Sequence, residues 1–569
     1  MGLELLKPDG SEACPDDFSA VHQQLDMWKG QISSIFKFNN SSFKVNVVCH
    51  PLYDRIAAKI ESPLLAGKAA VKFRFPYPTG QHSDDGCDWN RSWAHHTGLL
   101  QMGDNFAILE RNIDTTTYYI RITWEGQATI KEKSPHYFVL ETKTDHLSFT
   151  VEYAPQNIFS EVETFNTVAS QAKNHWRRFW ETGGAVDFSQ CTDKRAKELE
   201  RRVVLSQYLT AIQCAAPEPP QETGLTYNSW FGKFHLEMHW WHHVHFALWN
   251  RAELMMPSLE WYEKVAPIAR EIADRQHFDG IRWMKMTDPS GVEAPSSVGS
   301  FLIWQQPHYI YLAELLYRQN PVPETLRKYN YLVTESAKFM ASFVTFDSVN
   351  YRYVIKGVIP AQETLRPAET VNPPFELSYW HFALSVAQLW RERTGMSREP
   401  YWDDIISRLS PLTSKDGLYL AAESAPQTYE EVRFTSDHPI VLGAVGMFPQ
   451  NSLSEPEIMK STFDWVWNNW NWEHTWGWDF PTAAMCAARL AEPEKAVNAL
   501  LMEQPTNTFL PNGHNYQSER LRIYLPGNGG LLTAIAMMCA GWDESAQSTP
   551  GFPKNGKWNV RWEGIHPMP

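Results

Sequence analysis

The chain has 569 residues with a formal net charge of -14, 43% hydrophobic and 20% charged. That length exceeds what one hydrophobic core organises and predicts two or three soluble domains. The acidic balance excludes a nucleic-acid backbone as partner, and no stretch reaches the ~18 consecutive apolar residues of a membrane span.

The first residues, MGLELLKPDGSEACPDD, lack a basic region followed by a long apolar run, so no signal peptide is expected and the reading leans intracellular. Sequons at Asn39, Asn40 and Asn90 matter only for a secreted form that has lost a leader. Seven cysteines at scattered positions form neither a metal spacing nor a disulfide framework. The 25 Trp, 22 Tyr and 29 Phe are the most informative totals. Flat aromatic faces suit the C–H faces of sugar rings, and a large aromatic core is the plainer use of them.

Residues 30–155 alternate in the strand period, most clearly over Ser42–Cys49, Ala69–Phe75, Phe106–Arg111, Thr117–Trp124, Tyr137–Thr142 and Leu147–Tyr153. Turn residues separate these runs, as in an antiparallel β-sandwich. The loop HSDDGCDWNRSW is rich in acids and reads as solvated. From Ser160 the period becomes helical, up to the Gly pair at 183–184.

Beyond Cys191 the pattern predicts twelve helices, among them Asp193–Ala215, Phe234–Asn250, Glu376–Gly395, His438–Met447, Asp479–Leu490 and Asn528–Gly541. Charged amphipathic helices alternate with apolar or small-residue ones, as an outer and an inner ring of six require. After Gly232 the run to Trp249 has no Gly or Pro and predicts one helix of about four turns, with His235, His239 and His242 on one face. Long polar connections gather at one mouth, where functional groups are sought.

A sandwich, a connector and twelve helices follow the order of the six-hairpin glycosidase clan. Three segments carry that likeness: Asn228–Trp249, Pro360–Trp380 and the LPGNGG turn, Leu525–Gly530. They resemble the groups containing kojibiose and trehalose phosphorylases, α-1,2-L-fucosidases and glucoamylases. The resemblance implies a multidomain fold, an N-terminal antiparallel β-sandwich followed by an all-α (α/α)6 barrel. The boundaries expected are a sandwich over 1–158, a helical linker over 159–190, a catalytic barrel over 191–545 and a tail over 546–569.

Glycoside hydrolysis requires one protonated and one ionised carboxyl group across the scissile bond. In phosphorylase-like families the general acid lies in a Pro-then-Glu stretch followed by Asn and an inner aromatic helix. Glu363 resembles that acid, with Asn372 and Tyr379 downstream, and Glu369 is its rival. For the base, Asp479 stands among Trp476 and Trp478 at the start of a helix, where an N-cap role competes. Glu519 lies where glucoamylase-like enzymes keep their base, although Arg520 and Arg522 also suit it to a surface ion pair. In fucosidase-like members an Asp precedes the Gly-Asn of the LPGNGG turn; Pro526 holds that place here.

Glu237 is read as a sugar-binding acid, with His235, His239, Trp230 and Lys233 beside it. The pair His235 and His239 has i,i+4 spacing, yet Leu236 stands where zinc proteases place Glu, so no metal is expected. Trp283, Gln305 and Gln306 come from the next connections, Asp437 and His438 from a later one, and His514 and Asn528 from the last. Their convergence on one end of the helices makes a pocket. The sequence therefore reads as an inverting exo-glycoside hydrolase acting on a small glycoside or oligosaccharide end, without cofactor, as a monomer or homodimer. An inverting disaccharide phosphorylase and a non-catalytic glycan-binding protein are the alternatives.

Overall fold

The computed structural model describes residues 1–569 except Pro295, Ser297, Glu544 and Ala546. The chain divides into two compact units, one of residues 1–81 and 86–182, the other of residues 82–85 and 183–569.

In the first unit, antiparallel pairing produces two sheets. The larger runs, in spatial order, Ser19–Asp26, Gln31–Phe38, Ser41–Cys49, Arg55–Glu61, His146–Ala154, Thr116–Glu125, Phe106–Ile113 and His95–Met102. The smaller runs Gly2–Leu5, Ala69–Arg74, Tyr137–Thr142 and Ala128–Ser134. Alternate residues of both turn inward: Ile120 and Ile122 from one sheet and Val71, Phe73, Phe138 and Leu140 from the other share a single core. Helix α1, Phe165–Glu181, is capped by Thr164, whose hydroxyl accepts from the Thr167 amide, and buries Phe165, Val168, Ala172 and Trp176. It packs on the larger sheet.

The second unit is helical. Its helices are α2 (Ala196–Gln213), α3 (His239–Leu248), α4 (Met256–Arg275), α5 (His308–Gln319), α6 (Pro323–Phe343), α7 (Pro374–Arg393), α8 (Pro400–Arg408), α9 (Gly443–Gly446), α10 (Pro456–Asn469), α11 (Asp479–Arg489), α12 (Pro493–Leu500) and α13 (Leu525–Ala540). These are the twelve α-helices of this unit among the described residues. The odd-numbered helices from α3 to α13 form a continuous series of contacts, α3 with α5, α5 with α7, α7 with α9, α9 with α11, α11 with α13, and α13 again with α3. Every residue of α3 and all but Ala540 of α13 are buried. In α8, by contrast, only Trp402 and Ile405 are buried. A helix apolar all round must be enclosed by others, which is why α13, with its sequence LLTAIAMMC, lies inside.

Aromatic rings fill the space between these inner helices. Trp241 lies 5.2 Å from Trp478, Trp304 lies 6.0 Å from Trp478 and 5.8 Å from Phe375, and Tyr379 stacks on Phe448 at 4.4 Å. Such pairs contribute about 0.5–1.5 kcal/mol each beyond their buried area. The chain end also belongs to this unit: Arg561–Glu563 pairs with Ala185–Asp187, and Phe552, Trp558, Ile565 and Met568 join the core.

The single helix expected from Gly232 is corrected by the structure. Phe234–His235 is a strand paired with Met286–Thr287, Leu236–Met238 is a 3-10 turn, and α3 starts at His239. The His235 amide donates to the Pro220 carbonyl and the Glu237 amide to the Lys285 carbonyl, so tertiary partners take the donors that an early helical turn would leave unused. His235 therefore does not share a helical face with His239. The helix expected over Asn528–Gly541 begins three residues earlier, at Leu525, with Pro526 in its first turn.

Close helix contacts depend on glycine at Gly529, where an added Cβ would stand 1.9 Å from the Trp241 carbonyl oxygen. Since that neighbour is backbone in a buried helix, it cannot rotate away. Gly529→Ala is expected to cost about 3 kcal/mol, the upper end of overpacking penalties, and to lower the melting temperature in a thermal scan.

Candidate active site

The site is assembled around a lysine. Lys285 follows the loop that leaves α4, and its side chain is buried apart from 3% of its surface. Its Nζ lies 3.0 Å from Glu237 Oε2 and 2.9 Å from Glu363 Oε1. The same Glu237 oxygen accepts a hydrogen bond from His235 Nε2 at 2.9 Å. Burial alone would lower the lysine, but the two carboxylates raise it above its ordinary value. Burial would raise Glu237; the Lys285 ammonium and His235 hold it well below the usual carboxylate range. The lysine also lies 5.1 Å from the Trp230 ring centroid, a cation–π contact.

Glu363 is the exposed member of this group, with 38% of its side chain accessible where Lys285 and Glu237 have 3% and 6%. Its connection is tied down on both sides. The Ala361 amide donates to Glu376 Oε1 at 2.7 Å, and the Thr364 amide and hydroxyl donate to Asp437 Oδ2 at 2.8 and 2.6 Å. Glu376, in the first turn of α7, is fully buried, and burial pushes its carboxyl up to about 7.

Beyond Asp437 the chain carries His438, whose Nδ1–H donates to Asp479 Oδ2 at 2.8 Å. The same oxygen accepts from the Trp476 amide at 2.8 Å, while Oδ1 has no hydrogen-bond partner among the described residues. Burial would lower His438; the adjacent Asp479 carboxylate more than reverses this, with smaller help from Asp437 and Glu363, and lifts it to about 9. Burial in turn pushes Asp479 up, against the pull of His438. The imidazole stacks on Trp478 at 4.2 Å, so the charged cluster rests directly on the aromatic layer between the inner helices. Asp479 is not the N-cap the sequence suggested. Trp478 holds that position, and Asp479 is the first residue of α11, with its carboxylate turned back to the Trp476 amide.

Tyr524 joins the two halves. It is fully buried at the start of α13; burial pushes its phenol far up, and Glu222, Glu237 and Asp479 add to the effect. Glu222, itself buried, is raised by burial too. A strand of two residues, Ser83–Asp84, pairs with Asn228–Ser229 and brings His82 to 4.6 Å from Trp230.

Of the residues singled out in the sequence, the structure brings Glu363, Glu237, His235, Trp230, Asp437, His438, Asp479, Trp476 and Trp478 into this one cluster. Tyr379 acts one step away: its hydroxyl meets His308 Nδ1 at 2.8 Å, and His308 Nε2 donates to the Glu237 carbonyl at 3.0 Å. The others have framework partners. His239 lies between Tyr262, at 2.7 Å, and Ser258, at 3.1 Å. Gln305 and Gln306 hold the loop at Ile281–Trp283, and the Trp283 indole donates to Ser336. Asn372 bonds to Ser410 and Glu423, His514 to Gln213, and Asn528 to Ser206 and Gly513. The Lys233 ammonium sits over the Phe231 ring. Glu519 is 81% exposed and paired with Arg522, the surface ion pair foreseen as its alternative. Glu369 is exposed as well.

Sequence reasoning missed Glu222, Glu376, Tyr524 and His82. Glu376 and Tyr524 open apolar helices, a position that flags a polar residue for inspection; His82 lies far from the rest in sequence and offers no local signal. Among the described residues no group of three His, Cys, Asp or Glu has the arrangement of a metal site. A cavity of about 1200 Å³ in the first unit is lined by residues such as Asn39, Lys68 and Lys131, none of them a residue of this cluster.

No protein-family model and no curated protein matches the chain. Among solved structures it is similar to a human-microbiome protein assigned as a kojibiose phosphorylase, at 11% identity and a TM-score of 0.68 over 96% of this chain and 80% of that one. It is also similar to a bacterial glucoamylase complexed with acarbose, at 12% identity and a TM-score of 0.55 over 95% of this chain and 87% of the other. At such identities the likeness concerns the fold alone, a large antiparallel β part followed by a helical part.

The His438–Asp479 pair makes a pH prediction. A histidine raised from 6.5 to about 9 on folding stabilises the folded chain fully below pH 6.5, and that contribution is lost as pH rises through about 9. The melting temperature of the parent should therefore fall across this window. His438→Gln should flatten that part of the profile, as read by thermal scans between pH 6 and 10.

Proposed function

We propose that the chain is a carbohydrate-active enzyme, an inverting exo-glycoside hydrolase whose helical unit is an (α/α)6 barrel. The contact series running from α3 through α13 and back to α3 supports the barrel. The observation that carries the reaction is a pair of unlike carboxyl groups in one cluster. Glu363 is the accessible one, and Asp479 is enclosed, held by His438, with an acceptor oxygen to spare.

In this reading Glu363 gives its proton to the leaving glycosidic oxygen as the C1–O bond breaks. Asp479 Oδ1 accepts a proton from a water that attacks C1 on the opposite face, and the two carboxyls exchange protonation states over the cycle. A protonated His438 opposes the burial that raises Asp479 and fixes its orientation. Lys285 places Glu363, and Glu237, held by His235 and Lys285, is the acid that receives sugar hydroxyls. The aromatic layer packed against His438 closes one side of the cluster, which suits attack on a chain end rather than mid-chain.

A phosphorylase of the same fold is the second reading, favoured by the likeness to the protein assigned as a kojibiose phosphorylase. Phosphate then replaces the attacking water and calls for free cations near the last connections. Arg522 is committed to Glu519, and the Arg520 guanidinium lies 3.3 Å from His82 Nδ1. Turnover that requires added phosphate would establish this reading over the first.

Glu363→Gln keeps the size of the side chain and removes the transferable proton. Turnover of glycosides with poor leaving groups should fall by about 10²–10⁴, while those with activated nitrophenol leaving groups lose much less. Undiminished turnover of both kinds in steady-state assays removes Glu363 as the acid.

A further inference from the structure

A cleft of about 740 Å³ on the helical unit lies behind the connection that carries Glu363. One wall is that connection, where Pro367, Ala368, Thr370 and Val371 line the cleft and the exposed Glu369 between them does not; Lys356 bridges to Val371 and the Gly357 amide donates to the Thr370 carbonyl. Arg282 and Lys356 both line it, and none of its lining residues is an Asp or Glu. In a chain of net charge -14, an acid-free cleft with two cations departs from the surrounding surface.

Arg282 is only 5% exposed. Its guanidinium donates to the Gln276 side-chain oxygen and to the Ser300 carbonyl, both neutral, and no carboxylate among the described residues pairs with it. The acid nearest in influence, Glu293, is bonded to Arg275. Burial lowers Arg282 to about 10, the mark of a charge held out of water without a counter-ion. Lys356, by contrast, is exposed, with no ion pair among the described residues. Phe301, Phe343 and Phe278 supply apolar wall, Phe301 being 46% exposed. A guanidinium with donors to spare and an ammonium lining the same cleft match an oxyanion, and the phenyl faces match the C–H face of a ring.

We propose that this cleft binds a small oxyanion-bearing ring compound, a sugar phosphate or a sugar acid, with its anionic group between Arg282 and Lys356 and its ring against Phe301. The site is separate from the carboxylate cluster and does not depend on the reaction assigned to it. Its position against the Glu363 connection means that an occupant touches the segment that sets Glu363.

Calorimetric titration of the full chain with glucose 6-phosphate, gluconate and glucose tests this. At least one of the two anions should bind saturably, and which one binds distinguishes phosphate from carboxylate. Lys356→Glu, at an exposed position that folding tolerates, should weaken that anion at least about tenfold and leave any glucose binding as it was. Arg282→Gln should weaken it further, and Glu363→Gln should leave it unchanged. The proposal is overturned if neither anion binds, or if Lys356→Glu leaves the affinity within about twofold of the parent.

Discussion

A single buried ammonium holds the site together. Lys285 receives two carboxylates, Glu237 from the turn before α3 and Glu363 from the connection before α7, so those two oxygens lie no further apart than the sum of their distances to Nζ. A lysine taken out of water at such a position is tolerable because the buried Glu237 carboxylate compensates it, with Glu363 as a second oxygen acceptor. Removing Glu237 takes away the buried counter-ion, whereas removing Glu363 frees one ammonium donor, so the two contacts together fix the lysine's position. The same contact explains the local backbone: the Lys285 ammonium donates to the Glu237 carboxylate and the Lys285 carbonyl accepts from the Glu237 amide, and this double attachment keeps the 234–238 segment out of the helix.

The second constraint is the aromatic layer. Trp478 touches Trp241, Trp304 and His438, and thereby carries the packing of the inner helices directly to the titrating pair. Apolar rings beside His438 and Asp479 lower the local dielectric constant relative to water, which strengthens their ion pair and raises the cost of misplacing either partner. Charge above and close packing below are in this sense one design: the rings position His438 and Asp479 and exclude water from one side of them.

Much of this was legible in the sequence. Helix periodicity and the alternation of amphipathic with apolar segments located twelve helices, because burial writes itself into composition, as in the LLTAIAMMC run of α13. Strand runs such as Tyr137–Thr142 were equally plain, since each turns one face to a core. Helix starts were not. His235 and Glu237 are sequence-compatible with helix, and only the distant Met286–Thr287 strand and Lys285 carbonyl decide otherwise. The site was legible in residue type more than in role. Glu363, Glu237, His438 and Asp479 stand together, whereas Asn372, His514, Asn528 and the Gln305–Gln306 pair are turned to the framework, since a polar residue near a mouth has the same sequence signature whether it faces a ligand or a loop. Glu376 and Tyr524 were missed because their polarity is hidden in apolar helices, and their partners come from other connections.

The central claim is that two carboxyl groups of this cluster act from opposite faces of a sugar. Its most direct measurement is time-resolved proton NMR of the sugar first released from α- and β-glycosyl fluorides or nitrophenyl glycosides. The account predicts that the initial product has the anomeric configuration opposite to that of the substrate turned over, before mutarotation mixes the two. An initial product of retained configuration would contradict it, because retention requires a covalent partner on the enzyme rather than a water placed by Asp479.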